Sequence, residues 1–213
     1  MTEAAQTLSG ATDLDLPEFD DPPASPWGLL RGWLDAAVAR GVREPYAVVL
    51  ATADAAGRAS SRVLLVKDAD EHGLVFTSAA HSRKGRDLAE RPWASATFYW
   101  RETLQQITAA GPVERLPDDE SDLLFAGRPR DAQAASAVSH QSAPLADEAA
   151  LHRSAASLRD GDRPIPRPDG WAGYRLVPHE LEFWYGSPTR LHRRLAYTRP
   201  AADAAWSHRR LQP

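Results

Sequence analysis

Cysteine is absent from the 213-residue chain, and this absence excludes several kinds of chemistry. Without thiols there is no disulfide, no thiolate nucleophile and no zinc site built on cysteine ligands. Long apolar runs are missing too, since none reaches the roughly 18–20 residues that a bilayer-spanning helix needs. The N-terminal segment is acidic and lacks the basic and then apolar pattern of a secretory signal. We therefore expect a cytoplasmic protein.

The chain also has no excess of positive charge. Its formal net charge is −4, so no global positive field would recruit nucleic acid or an anionic membrane. Hydrophobic residues make up 43% and charged residues 25% of the chain, which is typical of a soluble globular protein. The length suits one domain with a substantial core.

Lysine is scarce, because only Lys67 and Lys84 occur among 25 basic residues. The high arginine content is typical of a compositional bias in the gene. A chain that rarely uses lysine can keep one where a compact ammonium does what a guanidinium cannot. The alternative is that the two lysines have no special meaning.

Hydrophobic periodicity divides the chain into helices and strands. Residues 1–25 hold acidic residues, proline and small residues, and this composition predicts a disordered N-terminal tail. Apolar residues at helical spacing predict a helix from Pro26 to about Gly41, and further helices are predicted at 82–90, 117–127 and 146–161, with some helix possible in 128–145. Strands are predicted at 46–54, 60–68, 73–78, 93–100 and 104–116, as two strands broken at Pro178 within 171–186, and as a final hairpin in 190–213.

This order of elements predicts the fold class. Many short antiparallel strands with a few helices between them indicate a small β-barrel of the α+β class. The isolated glycines form no dinucleotide or Walker fingerprint. The histidines show no metal-ligand spacing, so we predict no metal site.

The predicted helix that begins after Ser82 carries cations in an unfavourable place. Arg83 and Lys84 fall in its first turn, where the helix dipole makes each cation cost about 0.3–1 kcal/mol. A phosphate at this helix start would gain backbone N–H groups, the dipole and two cations together. The alternative is a solvated face on which arginines pair with carboxylates four positions on, as Arg83 would with Asp87.

Eight short motifs carry a resemblance to a known family. In chain order they are SSRVLLVK, SRKGRDL, FYW, QQI, RPR, SHQS, EFW and RLHRR. Their order and spacing resemble the pyridoxamine 5′-phosphate oxidase family of FMN-binding split-barrel proteins, over residues 26–213. The resemblance implies an α+β fold built mainly on an antiparallel split β-barrel, and a homodimer with FMN at the subunit interface.

The resemblance also assigns site residues by position. Cofactor contacts are implied for Arg62, Val63, Leu64, Leu65, Val66, Lys67, Thr77, Ser78, Arg83, Lys84, Gln106, Gln141, Ser142, Trp184 and Arg194. Substrate contacts are implied for Lys67, Arg128, Arg190 and His192. Arg62 and Lys67 are five positions apart in a predicted strand, so their side chains point to opposite faces and need not touch the same group.

Two positions depart from the vitamin B6 enzymes of this family. A tyrosine and a serine that help to grip the substrate phosphate are replaced by Leu124 and Ala132, while the arginine, Arg128, is present. Two hydrogen bonds to a dianion are lost, and charge-assisted bonds are worth about 1.5–3 kcal/mol each. The stretches YWRET and RRLQP resemble instead the flavin oxidase branch of phenazine biosynthesis. Lys67 and Arg83 keep some of the character of the B6 enzymes.

The resemblance to this branch implies a reaction. Its members oxidise reduced tricyclic phenazine carboxylates by hydride transfer to FMN, with dioxygen as the final acceptor and hydrogen peroxide as a product. Two alternatives stay open. One is a pyridoxamine or pyridoxine 5′-phosphate oxidase that makes pyridoxal 5′-phosphate, and the other is a non-catalytic flavin-binding protein.

Overall fold

Antiparallel strands dominate residues 10–11 and 14–213, which a computed structural model describes. The strands are β1 (Ala47–Ala53), β2 (Ala59–Leu65), β3 (Asp68–Asp70), β4 (Gly73–Ala79), β5 (Trp93–Trp100), β6 (Gln105–Arg115), β7 (Trp171–Leu176), β8 (Glu180–Tyr185), β9 (Arg193–Thr198) and β10 (Ser207–Leu211). The helices are α1 (Pro26–Ala39), α2 (Arg83–Glu90), α3 (Asp118–Ala126), α4 (Arg130–Val138) and α5 (Glu148–Asp160), and a short 3₁₀ helix (Pro17–Phe19) precedes them. The strands and helices predicted from the sequence are confirmed, including the C-terminal hairpin of β9 and β10.

The strand pairings lead around a barrel. One run of neighbours has the order β10-β9-β8-β6-β5-β1-β2, while β7 pairs with the far end of β6 and with β4, which pairs with β3. The chain runs directly from β2 into β3, and in the link between these strands Lys67 N–H donates to Val75 O on β4 at 2.7 Å. This contact closes the barrel between β2 and β4. The predicted α+β fold with a mainly antiparallel split barrel is confirmed.

Alternation along the strands fills the barrel. In β6 every second side chain from Gln105 to Val113 is buried, as expected for a strand with one face on a core. Leu50, Phe98 and Ile107 on three neighbouring strands are fully buried. Each such side chain contributes roughly 1.5–3 kcal/mol by leaving water. The core therefore fixes the register of the strands that carry the site.

A second apolar layer covers the extension of the sheet. Helix α1 buries Leu30, Trp33 and Leu34. The ring of Trp33 meets that of Phe183 on β8 edge to face, with 5.2 Å between centroids. Phe183 in turn packs against Tyr197 on β9 at 6.0 Å. Among the described residues, no helix has both the length and the apolar character to cross a bilayer.

The structure differs from the predicted disordered tail over residues 14–25. Leu16 and Phe19 belong to the main hydrophobic core, and Phe19 is completely buried, 6.1 Å from the ring of Trp33. The acidic and proline-rich composition predicted disorder, although the segment contains two apolar side chains that the 3₁₀ turn directs into the core. The packed unit thus begins before Pro26. The rest of the predicted tail, residues 1–9, 12 and 13, lies outside the described residues.

We expect Phe19→Ala to lower the free energy of unfolding by about 3–5 kcal/mol, because it opens a cavity in the core. Urea denaturation at one fixed protein concentration measures this change. Val38→Ala is the control, since Val38 is half-exposed on α1 and its truncation should change the free energy by less than about 0.5 kcal/mol. Equal effects of the two substitutions would show that the segment does not belong to the core.

Candidate functional site

The first turn of α2 is anchored against the end of β4. Ser82 is the N-cap as predicted, and its buried hydroxyl accepts a hydrogen bond from Gly85 N–H at 3.2 Å. A Cβ at Gly85 would lie 2.4 Å from Ala80 O, so only glycine permits this approach. The backbone N–H groups at the start of α2 are therefore held in a fixed place.

The two cations of this turn have different surroundings. Arg83 is exposed, whereas Lys84 is buried. Lys84 Nζ donates to Gln141 Oε1 at 3.1 Å and lies 3.4 Å from Ser82 Oγ. None of the ion pairs within the described part of the chain includes Lys84. Among the described residues, the hydrogen-bond partners of its buried ammonium are therefore two neutral oxygens.

Burial has an electrostatic consequence for Lys84. Desolvation, followed by the positive charge of Arg62, lowers the pKa of Lys84 to about 8. Burying an ammonium without a counter-charge is unfavourable, and an anion that binds beside it relieves this cost. The start of α2 is therefore a candidate anion site.

Arg62 supplies a second cation from the neighbouring strand β2. Its Nη1 donates to Thr52 Oγ1 at 2.8 Å and to Leu50 O at 3.2 Å, and its Nη2 donates to Ser60 Oγ at 2.7 Å. Burial lowers the pKa of Arg62, the carboxylate of Asp87 opposes this effect, and Arg83 adds to it. The guanidinium is thus fixed among oxygens beside the anion site.

Both cations line a cavity of about 520 Å³ between β2, β4, α2 and α4, which we call the anion cleft. Seven residues that the resemblance assigns to the cofactor line it, namely Arg62, Val63, Leu64, Thr77, Ser78, Lys84 and Gln141. Two more lie at its edge, where Arg83 N–H donates to Ser142 Oγ at 3.3 Å. Val66, in contrast, is buried in the core.

A second cavity, of about 720 Å³, adjoins the anion cleft and is largely apolar. We call it the apolar cavity. Its lining includes Leu65, Leu124 and Ala132 together with Lys67. Arg62 lines the anion cleft and Lys67 lines the apolar cavity, so the two cations line different cavities.

Arg128 lies at the junction and lines both cavities. Its guanidinium stacks over Trp171 at 5.1 Å and lies 5.8 Å from the centroid of Phe125. Nη1 donates to Ser136 Oγ at 2.7 Å. Burial lowers the pKa of Arg128. The side chain is thus held rigidly, as a group that orients a ligand must be.

The remaining predicted residues lie elsewhere, on β6, β8, β9 and the loop after β8. Gln106, Trp184 and Arg194 form one cross-strand row, and Arg194 pairs with Glu182 through two bonds of 2.7 and 2.9 Å. The ring of His192 lies 4.8 Å from that of Trp184. They line neither the anion cleft nor the apolar cavity, so the fold of one chain does not bring all predicted residues together.

The loop after β8 sets the state of His192. Burial, and next the charge of Arg190, lower the pKa of His192, which favours the neutral ring. Ser187 N–H donates to His192 Nδ1 at 3.0 Å, so Nδ1 is the acceptor and Nε2 carries the proton. Arg190 itself has a left-handed backbone with φ of 68°. His192 is therefore a neutral donor at Nε2.

An exposed face connects the two groups of residues. Val63, Val49 and Thr97 are direct neighbours across β2, β1 and β5, and the row continues through Thr108 on β6 to Glu182 on β8. Val63 is 69% exposed and Val49 43% exposed. Neighbouring exposed apolar residues of this kind mark interaction surfaces. We call this surface the outer face.

Sequence reasoning missed four residues around the site. Thr52 and Asp87 are buried beside Arg62, and Ser136 and Trp171 hold Arg128. The interpretation of Asp87 as the partner of Arg83 on a solvated face is wrong, since Asp87 accepts from Thr52 instead. The sequence offered one indication of this network, because Thr52 falls at a buried position of the predicted strand and a buried hydroxyl needs a hydrogen-bond partner.

Comparison with known proteins identifies the class. Residues 34–160 match the family profile described as pyridoxamine 5′-phosphate oxidase. Residues 171–213 match the profile of the pyridoxine 5′-phosphate oxidase C-terminal dimerisation region. The chain therefore belongs to the pyridoxamine 5′-phosphate oxidase family, as the motifs indicated.

Two curated relatives and one crystal structure show which members of this family the chain is similar to. The chain is 47% identical over 212 residues to a dihydrophenazinedicarboxylate synthase of Burkholderia lata, covering 100% of this chain and 99% of that protein. It is 43% identical over 216 residues to a pyridoxine/pyridoxamine 5′-phosphate oxidase of Burkholderia cenocepacia, covering both chains fully. The crystal structure of PhzG from Burkholderia lata in complex with tetrahydrophenazine-1-carboxylic acid superposes with a TM-score of 0.91 at 47% identity, covering 96% of this chain and 100% of that one.

Gly85→Ala tests the close approach that anchors the start of α2. We expect a loss of about 1–3 kcal/mol in the free energy of unfolding, because the new methyl group overlaps a backbone oxygen. Gly32→Ala is the matched control, since a Cβ at Gly32 in α1 would meet nothing within 4 Å. That control should gain up to about 1 kcal/mol from helix propensity. Chemical denaturation of both variants measures the difference, and a neutral Gly85→Ala would contradict the packing described.

Proposed function

We propose that the protein is an FMN-dependent oxidase that oxidises a reduced phenazine carboxylate to a more aromatic product. Bound FMN would accept a hydride from the substrate, and dioxygen would be the final acceptor, giving hydrogen peroxide. The observation that carries the proposal is the buried ammonium of Lys84, which has neutral oxygen partners only and lies at the N-terminus of α2 beside Arg62.

The charge of the anion cleft fits the phosphate of FMN. Around the start of α2, Arg62, Arg83 and Lys84 are positive and Asp87 is negative, which leaves a net charge of +2 beside the proposed phosphate dianion. Arg128, which also lines the cleft, is assigned to the substrate in this proposal. The N-terminus of α2 adds backbone N–H groups and the positive end of its dipole. Charge-assisted bonds of this kind are the strong ones in proteins.

The outer face supports a homodimer that shares two FMN molecules. The C-terminal dimerisation region matched by the chain covers Trp184, Arg190, His192 and Arg194. These residues do not line the anion cleft of their own chain. In the proposed dimer they reach the flavin held by the other subunit, across the outer face.

The lining of the apolar cavity supports a planar carboxylate as the substrate. Leu124 and Ala132 offer no hydroxyl for a phosphate ester, whereas Leu65 and its neighbours offer apolar surface to an aromatic ring system. Arg128 at the junction can bind one carboxylate. Overall identity does not decide the substrate, because relatives named for either reaction lie at 42–47%. The apolar lining supports the carboxylate.

The protein's part in the reaction is to bind and orient. When bound, FMN supplies the acceptor for a hydride and the route by which two electrons reach dioxygen. Arg128 and Arg190 would hold the substrate's negative charge, and neutral His192 would donate a hydrogen bond from Nε2. No strong base is needed, since aromatisation drives the oxidation of a conjugated substrate.

A second candidate is oxidation of pyridoxamine or pyridoxine 5′-phosphate. One observation favours it, because Lys67 and Arg128 line the same cavity and could bind an anionic ester together. Oxygen uptake by the FMN-loaded protein decides between the candidates. We expect turnover of a dihydrophenazine carboxylate and much lower kcat/KM for either phosphate ester. FMN binding without oxidation of any of these compounds would indicate a non-catalytic flavin protein.

The double variant Leu124→Tyr with Ala132→Ser tests why the esters are poor substrates. Two restored hydroxyls should raise kcat/KM for pyridoxine 5′-phosphate by about 10-fold or more, because each can bond the ester dianion. The dihydrophenazine carboxylate is the internal control and should gain nothing. An equal change in kcat/KM for both substrates would mean that positions 124 and 132 do not select between them.

The affinity for FMN should depend on pH through Lys84. Its pKa of about 8 in the free protein rises when a phosphate dianion binds, so affinity is full below pH 8. Above pH 8 the affinity should fall by up to about 10-fold per pH unit, as the ammonium of the free protein loses its proton. Fluorescence titration from pH 6.5 to 9.5 measures this fall. Riboflavin and the Lys84→Gln variant are the controls, and both should give nearly flat profiles.

A further inference from the structure

A buried carboxylate lies directly behind Arg62. Asp87, in the second turn of α2, is only 5% exposed. Its Oδ2 accepts a hydrogen bond from Thr52 Oγ1 at 2.6 Å and another from Ser60 Oγ at 3.1 Å. The direct separation of Asp87 Oδ2 from Arg62 Nη2 is 4.0 Å, too long for a hydrogen bond. Two hydroxyls therefore stand between the carboxylate and the guanidinium.

The direction of every bond in this network is determined. A guanidinium only donates and an ionised carboxylate only accepts, whereas a hydroxyl does both. Arg62 Nη1 donates to Thr52 Oγ1 at 2.8 Å and Nη2 donates to Ser60 Oγ at 2.7 Å. Each hydroxyl must then donate its own hydrogen bond to Asp87. The network is a two-armed clamp in which the charge of Asp87 makes both hydroxyls better acceptors.

The clamp holds one edge of the guanidinium and leaves another available. Thr52 Oγ1 and Ser60 Oγ lie 3.5 Å apart, so together they hold the edge formed by Nη1 and Nη2. Nη1 also donates to Leu50 O. Three of the five N–H groups are thus engaged within the described residues. The remaining Nε–H and one Nη2–H form the adjacent edge, which suits two parallel bonds to a phosphate.

We propose that Asp87 is a positioning residue which, through Thr52 and Ser60, aims the Nε–Nη2 edge of Arg62 at the phosphate in the anion cleft. The inference rests on the proposed binding of FMN. Asp87 does not touch the ligand in this arrangement. Asp87 holds the Arg62 guanidinium in the orientation that two parallel hydrogen bonds to a phosphomonoester require.

A double-mutant cycle on flavin affinity tests this role without any oxidation substrate. We expect Asp87→Ala to weaken FMN binding by about 10-fold, because the fork is no longer held. Riboflavin lacks the phosphate, so its affinity should be unchanged. In the Arg62→Ala background the same substitution should have no further effect on FMN. Asp87→Asn should restore most of the affinity, since its amide oxygen can accept from both hydroxyls.

The result that overturns the proposal is equal weakening of both flavins, or an equal loss with and without Arg62. A wild-type protein that binds FMN no better than riboflavin would overturn the cofactor assignment and this inference together. Asp87→Ala that keeps the preference for FMN would overturn the inference alone. An absence of substrate oxidation affects neither measurement.

A second variant covers the case in which Asp87→Ala does not fold. Thr52→Val keeps the shape of the side chain and breaks one arm of the clamp. Thr103→Val is its matched control, because Thr103 is equally buried and its hydroxyl has no hydrogen-bond partner among the described residues. We expect a selective loss of FMN affinity in the first and unchanged affinity in the second. Equal behaviour of the two would count against the clamp.

Discussion

The buried positive charge of Lys84 is the constraint on which the site depends. Its ammonium has lost water without gaining a carboxylate, and its pKa is lowered to about 8 in consequence. Such a group costs stability until an anion binds, so the rest of the fold must hold it in place. The cap at Ser82 and the close approach at Gly85 do so from α2, while the barrel core fixes β2 and β4 opposite.

The position of the Asp87 carboxylate matters as much as the positions of the cations. If Asp87 bonded Lys84 directly, it would neutralise the ammonium and compete with an incoming anion. The structure places it behind Arg62 instead, with Thr52 and Ser60 between them. Arg62 can therefore be buried and held in place while its Nε–Nη2 edge stays available for the proposed phosphate. Net positive charge and fixed geometry are thereby combined.

The sequence was informative where local physics decides the outcome. Periodicity predicted the helices and strands, and the misplaced cations after Ser82 pointed to the turn in which the structure buries Lys84. It failed at Phe19, because two apolar side chains among acidic residues do not reveal that a core lies next to them. It also failed at Asp87, because i,i+4 spacing fits a solvated ion pair as well as a buried hydrogen bond. Burial of that carboxylate depends on β1 and β2, which pack against α2 from distant parts of the chain.

The division of predicted residues into two groups has a topological cause. The anion cleft uses β2, β4 and α2 together with α4, whereas Trp184 and Arg194 lie on the C-terminal extension of the sheet beyond β6. Side chains of β2 and β9 that belong to the outer face are separated by four intervening strands. One chain cannot fold these strands onto each other without breaking the barrel register. A second copy, packed on the outer face, can bring the C-terminal group to the cleft, so the proposed site is complete only in a dimer.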